Sequence, residues 1–218
     1  MQPVANGFIQ RIIDIHGEAG TAWLSRLADT IAECAGRWSI KVMPPFAPLS
    51  HNYVAPAVRA DGTEVVLKLG VPHYDLKMEM EALRLFDGQG VVRLLEGGFD
   101  LGAMVLERLN PGTSLSKVVD DGKATSIAAQ VMKQLCRPPP LEHQLPTASD
   151  WAARLERLRD RFGGATGSLP VALVDRPKHC FQSLSGVWVT PCSFMETRTI
   201  TTSCLLRGNP GLPSILKV

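Results

Sequence analysis

The chain has 218 residues, 45% of them hydrophobic and 20% charged, with a net charge of +2. This is an ordinary globular composition, long enough for one domain with a sizeable core or two small lobes; the balanced charge argues against nucleic acid or an anionic membrane as partner, and no apolar run reaches the roughly 18 residues of a membrane span. Arg11, Asp14 and Glu18 interrupt the N-terminal segment where a signal peptide needs apolar continuity, and Cys34, Cys136, Cys180, Cys192 and Cys204 are odd in number without CxxC spacing, so a cytoplasmic protein with reduced thiols is expected, not an exported, disulfide-bonded or zinc-binding one.

Over residues 18–35, Trp23, Leu24, Leu27, Ile31 and Cys34 fall on one helical face, which predicts a helix docked on a core. "WSIKVMPPF" comes next as a short strand ended by Pro44-Pro45. In "NYVAPAVRADGTEVVLKLG" two β-rich runs flank Asp61-Gly62, the chemistry of a hairpin turn. "DLKMEMEALRLFDGQG" reads as a helix, with Leu76, Met80, Leu83 and Phe86 at three- and four-residue spacing and Gly88 as the stop. "VVRLLEGGFDLGAMVLERL" gives two more strands around Gly97-Gly98 and Gly102, and "NPGTSL" a loop with a helix cap. Helices are then predicted over 114–120, 123–136, 150–162 and from about 169, with Pro138-Pro139-Pro140 separating the second from the third.

Strand, hairpin, helix, two strands, loop and helices make an α+β chain: a small antiparallel sheet carrying one helix, joined through residues 109–113 to an all-helical part. The expected organisation is an N-terminal helical segment (1–37), a sheet-and-helix lobe (38–109), a partial helical lobe (110–176) and a tail (177–218). Periodicity carries the argument to this architecture and not to a function.

"VVLKLG" resembles the strand of kinase-like folds whose Lys holds the α- and β-phosphates of ATP, and "EMEALRLF" resembles the helix whose Glu pairs with that Lys. With "MVLERLNPGTSL", similar to a last strand and hinge that cup the adenine, and "LRLFDGQGVVRLL", the wording over about residues 38–176 resembles the aminoglycoside 6-phosphotransferase / hydroxyurea phosphotransferase family, which includes streptomycin kinases. The resemblance implies a protein-kinase-like fold, ATP and Mg2+ as cofactors, and a small-molecule hydroxyl compound such as an aminoglycoside as substrate. It implies that Lys68 is the phosphate-binding residue and that Glu79, one turn before Leu83 on the sheet-facing side, is its partner, with Glu81 the alternative. It further implies that Leu106, Glu107 and Leu109 line the adenine, through the carbonyl of Glu107 and the N–H of Leu109. Ser50-His51-Asn52 lies where the phosphates would be covered, in a chain without a Gly-rich loop; a plain turn serves as well there.

The family's catalytic loop resembles H-G-D-x-x-x-x-N, with I-D-P later in the chain; the first Asp receives the proton of the attacking hydroxyl, and the Asn and second Asp bind metal. None of this is found after Leu109: Asp120, Asp121, Asp150, Asp160 and Asp175 lack both the preceding His-Gly and the spaced Asn. No catalytic or metal-ligating residue is therefore assigned. Instead the chain ends in "SFMETRTITTSCLL" and residues 207–218, without hydrophobic period. Phe194-Met195-Glu196-Thr197 is encoded TTY-ATG-GAR-ACN, and codons begun one base earlier permit His-Gly-Asp. After four intervening positions, at Thr202, the same frame permits Asn; at Ser214-Ile215-Leu216 it permits Ile-Asp-Pro. A frameshift near Asp175–Pro177 is the expectation, leaving residues 177–218 out of frame and the chain without phosphotransfer. Two rivals stand beside this reading. One is a pseudokinase-like module kept for nucleotide or partner binding, marked by an ordered, docked tail. The other is an interaction protein without a nucleotide site, in which Lys68 and Glu79 would not face one another.

Overall fold

The structure is a computed structural model. It describes residues 6–110 and 115–135 continuously and, beyond them, only residues 112, 145, 159–160, 162–167, 169–171, 174, 205–206 and 215–216. Its elements are α1 (Asn6–Arg37), β1 (Ile40–Val42), β2 (Tyr53–Arg59), β3 (Glu64–Leu69), α2 (Tyr74–Phe86), β4 (Leu94–Gly98), β5 (Ala103–Glu107), α3 (Asp121–Leu135), β6 (Leu205–Leu206) and β7 (Ile215–Leu216). The first five strands form one sheet in the order β1-β2-β3-β5-β4, every pair antiparallel. β6 pairs with β7 as a separate ribbon. The α+β architecture expected from the element order is thus present.

The hairpin forms where Asp61-Gly62 predicts it. The Asp61 carboxylate accepts the Thr63 N–H at 2.8 Å, and this hydrogen bond holds its pKa below the ordinary carboxylate value. Helix α2 ends at Phe86, two residues before the predicted stop at Gly88. Asp87 takes the left-handed conformation (φ 41°) and returns its N–H to the Leu83 carbonyl. The first strand is shorter than expected because Pro44 and Pro45 have no N–H for the ladder; Phe46 resumes the contact with its N–H on the Val54 carbonyl at 2.9 Å.

Two corrections arise. The helix predicted over 114–120 is a single 3-10 turn, Leu115–Lys117. It stops because Asp120 serves α3 instead, its carboxylate accepting the Lys123 N–H at 3.0 Å after two β-branched residues, Val118 and Val119. The helix read from residue 18 is also only half of α1, which begins at Asn6 and bends at Gly17 (φ 57°, ψ −129°), a backbone conformation open to glycine. The helices expected over 150–162 and from about 169, and nearly all of the tail 177–218, lie outside the described residues. Among the described residues no helix is long and apolar enough to cross a membrane.

The sheet is covered on both faces. On one, Ala55, Ala57, Val65, Leu67, Leu69, Ala103 and Val105 pack with Phe8, Ile12, Trp23, Leu27 and Cys34 of α1. On the other, Val66, Met104 and Leu106 pack with Leu76, Met80, Leu83 and Phe86 of α2. Double cover explains β3, whose five residues after Glu64 are all buried with no polar alternation. Leu24 and Ile31 of the predicted docking face are partly buried against the first cluster, so the helix docks as its periodicity requires.

The strands meet most tightly where β3 ends. The Gly70 N–H reaches the Gly102 carbonyl at 2.9 Å, Gly102 has φ +63°, and a Cβ there would fall 2.2 Å from the Gly70 carbonyl oxygen. Gly102→Ala should therefore destabilise the fold by roughly 2 kcal/mol or more, since neither the backbone conformation nor the contact can relax. Gly36→Ala, in an exposed helical position with nothing within 4 Å of its added Cβ, should raise stability by about 0.5–1 kcal/mol. Equilibrium denaturation of both variants checks the opposite signs.

Candidate nucleotide-binding site

Strand alternation puts Val66 and Lys68 on the α2 face of β3, and cross-strand register places Val54 and Met104 beside Lys68 and Leu106 beside Val66. Within this apolar face the Lys68 ammonium donates to the Glu79 carboxylate at 2.5 Å. Both side chains are sealed, 2% and 5% exposed. Glu79 reaches the sheet because it lies one turn before Leu83 on the buried stripe of α2. Glu81 points away and pairs on the surface with Arg84 at 2.8 Å. Of the two glutamates it is Glu79 that faces and pairs with Lys68.

The segment after β5 is tied to the sheet on several sides. Leu106 and Leu109 are buried in the second cluster with Val66, Met104 and Leu145. Glu107 is partly exposed; its N–H donates to the Arg93 carbonyl at 3.0 Å and its carboxylate accepts the Arg93 N–H at 2.8 Å. Asn110 donates to Glu64 at 3.0 Å. Leu106 and Leu109 therefore share one face with Lys68, while the Glu107 side chain is spent on the neighbouring chain. Val54, Val66, Met104 and Phe46 belong to the same face and were missed. Counting back two residues from Lys68 finds Val66, but the other three need the register.

The turn at Ser50-His51-Asn52 is held by α1: Arg11 donates to the carbonyls of Leu49 at 2.6 Å and Ser50 at 3.2 Å. His51 lies on the exposed side of that turn. Among the described residues no group of three or more His, Cys, Asp or Glu is placed to hold a metal ion.

A second cluster marks the head of α2. The His73 Nδ1–H donates to the Val71 carbonyl at 2.7 Å, its Nε2 lies 3.6 Å from the Asp75 carboxylate, and the His16 ring meets it edge-on at 4.9 Å. The Asp75 carboxylate raises the His73 pKa above its ordinary 6.5, more than burial lowers it. Burial, and then the charge of His73, push His16 below the same value. The raised His73 stabilises the fold fully below about pH 6.5 and loses that contribution as pH climbs through its folded value. The depressed His16 does the reverse: its contribution is present above about pH 6.5 and is lost as pH falls through its folded value. Imidazole titration by NMR should find His73 above and His16 below 6.5, and His73→Gln should move His16 upward.

The buried pair yields a sharper expectation. Lys68→Met alone leaves the Glu79 carboxylate buried without its cation and should cost about 3–5 kcal/mol, whereas Lys68→Met with Glu79→Leu should recover most of that loss. Glu81→Ala, which breaks only an exposed pair, should change stability by less than about 1 kcal/mol. A double-mutant cycle by chemical denaturation measures all three.

The family described as aminoglycoside/hydroxyurea antibiotic resistance kinase matches residues 37–179. Streptomycin 6-kinase of Streptomyces griseus is 33% identical over 132 residues, 61% of this chain and 43% of that protein. Hydroxyurea phosphotransferase of Kitasatospora aureofaciens is 40% identical over 121 residues, 55% of this chain and 36% of that protein. The chain thus spans about two fifths of the length of these curated relatives. Among solved structures, the MAP kinase LmaMPK10 from Leishmania major aligns with 62% of this chain and 42% of its own at a TM-score of 0.31 and 16% identity. Since the family match runs through the whole sheet, α2 and α3, covering more than half of the residues, the chain belongs to the aminoglycoside/hydroxyurea antibiotic resistance kinases.

Proposed function

We propose that this chain carries the nucleotide-facing part of a small-molecule kinase, and that as written it binds ATP without transferring phosphate. The observation that supports this reading is the sealed Lys68–Glu79 pair on the face shared with Leu106 and Leu109. An ammonium has three N–H donors, and the Glu79 contact takes one. The carboxylate fixes the rotamer of a long side chain, so that the remaining donors meet phosphate oxygens without further loss of conformational freedom. Leu106 and Leu109 would take the apolar faces of the base, and the main chain of Glu107 and Leu109 its polar edge.

In complete relatives the reaction proposed is transfer of the γ-phosphoryl of ATP to a hydroxyl of a small molecule. Such transfer needs a carboxylate to receive the hydroxyl proton and ligands for the metal that neutralises charge on the phosphates. The residues that would supply them are absent from the chain after Leu109 and permitted in the shifted frame. The family match supports the frameshift, because it ends at residue 179, beside the Asp175–Pro177 junction, while the chain continues to Val218.

One experiment covers both parts. The 218-residue protein should bind ATP in a titration that Lys68→Ala weakens more than tenfold, and should transfer no phosphate to streptomycin or hydroxyurea. A gene with the frame corrected near codon 176 should give ATP-dependent phosphorylation and a higher melting temperature. Binding indifferent to Lys68→Ala would overturn the site. Transfer by the uncorrected chain, or coding DNA whose shifted codons do not spell His-Gly-Asp, Asn and Ile-Asp-Pro, would overturn the frameshift.

A further inference from the structure

Phe46 and Arg108 meet across the face that carries Lys68. The Phe46 main chain is bonded to β2 through the Val54 carbonyl, and Arg108 directly follows β5. β3 runs between those two strands, so the contact bridges two strand spacings, about 10 Å. The Phe46 ring packs against the cluster of Val66, Met104, Leu106 and Leu109, which puts it on the Lys68 side of the sheet. The Arg108 guanidinium lies over that ring, 4.8 Å from its centroid. Among the described residues Arg108 has no carboxylate partner, and the ring is the contact that holds its head group.

A guanidinium is planar, delocalised and weakly hydrated, and it stacks on an aromatic face much as a heteroaromatic base does. Val66 and Lys68 are two residues apart on one strand face, about 7 Å. A nucleotide with its phosphates at Lys68 therefore brings its base back over Val66 and Leu106, to the ground that the Arg108–Phe46 contact crosses. We infer that Phe46 is the base-stacking residue of the nucleotide site and that Arg108 occupies its ring face in the free protein, to be displaced when a purine nucleotide enters. The ligand class is a purine nucleoside polyphosphate. The cover is self-made: the cation that closes the face comes from the same segment whose main chain would meet the edge of the base. This inference rests on the assignment of Lys68 as the phosphate-binding residue.

The test separates base from phosphate. ATP and inorganic tripolyphosphate are titrated calorimetrically into the 218-residue protein and its Phe46→Leu, Phe46→Trp, Arg108→Gln and Lys68→Ala variants, with thermal melts to establish that each is folded. Phe46→Leu should weaken ATP about tenfold, in line with the loss of one stacked base, and leave tripolyphosphate unchanged. Phe46→Trp should retain ATP. Arg108→Gln should tighten ATP about threefold by removing the competing stack. An unchanged ratio of ATP to tripolyphosphate affinity in Phe46→Leu overturns the inference. So does an Arg108→Gln that weakens both ligands equally, which would make Arg108 a phosphate ligand. If Lys68→Ala weakens neither ligand, the phosphate assignment itself fails, and the inference falls with it.

Discussion

A lysine ammonium and a glutamate carboxylate are sealed between β3 and α2, and the local architecture is arranged around keeping them together. Removing two charges from water costs several kcal/mol per ion, and only a short, well-directed contact in a low-dielectric setting offsets it. The 2.5 Å separation of Lys68 and Glu79 supplies that contact. It also sets a demand on the surroundings: α2 must lie at one rotation and one height over the sheet, because a single-residue slip would present Met78 or Met80 instead. The apolar stripe of Leu76, Met80, Leu83 and Phe86 holds that rotation, and the left-handed turn at Asp87 ends the helix before it can run on. Apolar residues of similar volume would serve stability as well as this pair does.

The head of α2 is secured from the opposite face of the sheet. Phe8 and Ile12, in the first half of α1, are wholly buried, and the bend at Gly17 lets the second half dock along the strands. His16, at the bend, meets His73, the residue that opens α2. Arg11 holds the turn before β2 by its carbonyls. One N-terminal helix thus touches both the turn before β2 and the start of the glutamate-bearing helix. The hinge segment is braced separately, by Asn110 on Glu64 and by Glu107 on Arg93. These anchors are polar and partly exposed, so they add modestly to stability; their effect is to fix where the main chain of residues 107–110 stands.

Much of this was legible in the chain itself. The hairpin was readable because Asp61-Gly62 has turn chemistry that few other dipeptides share. Helix α2 was readable because its apolar spacing repeats through three turns, and Lys68 because "VVLKLG" resembles the lysine-bearing strand of kinase-like folds. The order of those elements also sufficed for the α+β class. The 3-10 turn at Leu115–Lys117 was misread as a helix because "NPGTSL" offers a start signal, and only the structure shows Asp120 capping α3. The first half of α1 went unread because its pattern is broken at the glycine that lets it bend.

The rest is tertiary by nature. Glu79 and Glu81 are two residues apart on the same helix, equal in charge and propensity; which one is buried depends on how α2 rolls against the sheet, a property of packing between distant segments. Val54, Met104 and Phe46 join the Lys68 face through strand register, which local sequence leaves open when both faces of a strand are apolar. The contacts of His16 with His73 and of Arg108 with Phe46 have no signature in spacing, since each joins residues from different elements. Sequence alone determined most of the elements and their order, because turn chemistry and periodicity act locally, and Lys68 stood out through the resemblance of its strand. Tertiary structure decided the partner of that charge and the company it keeps, because burial is a property of the assembled layers and not of any one of them.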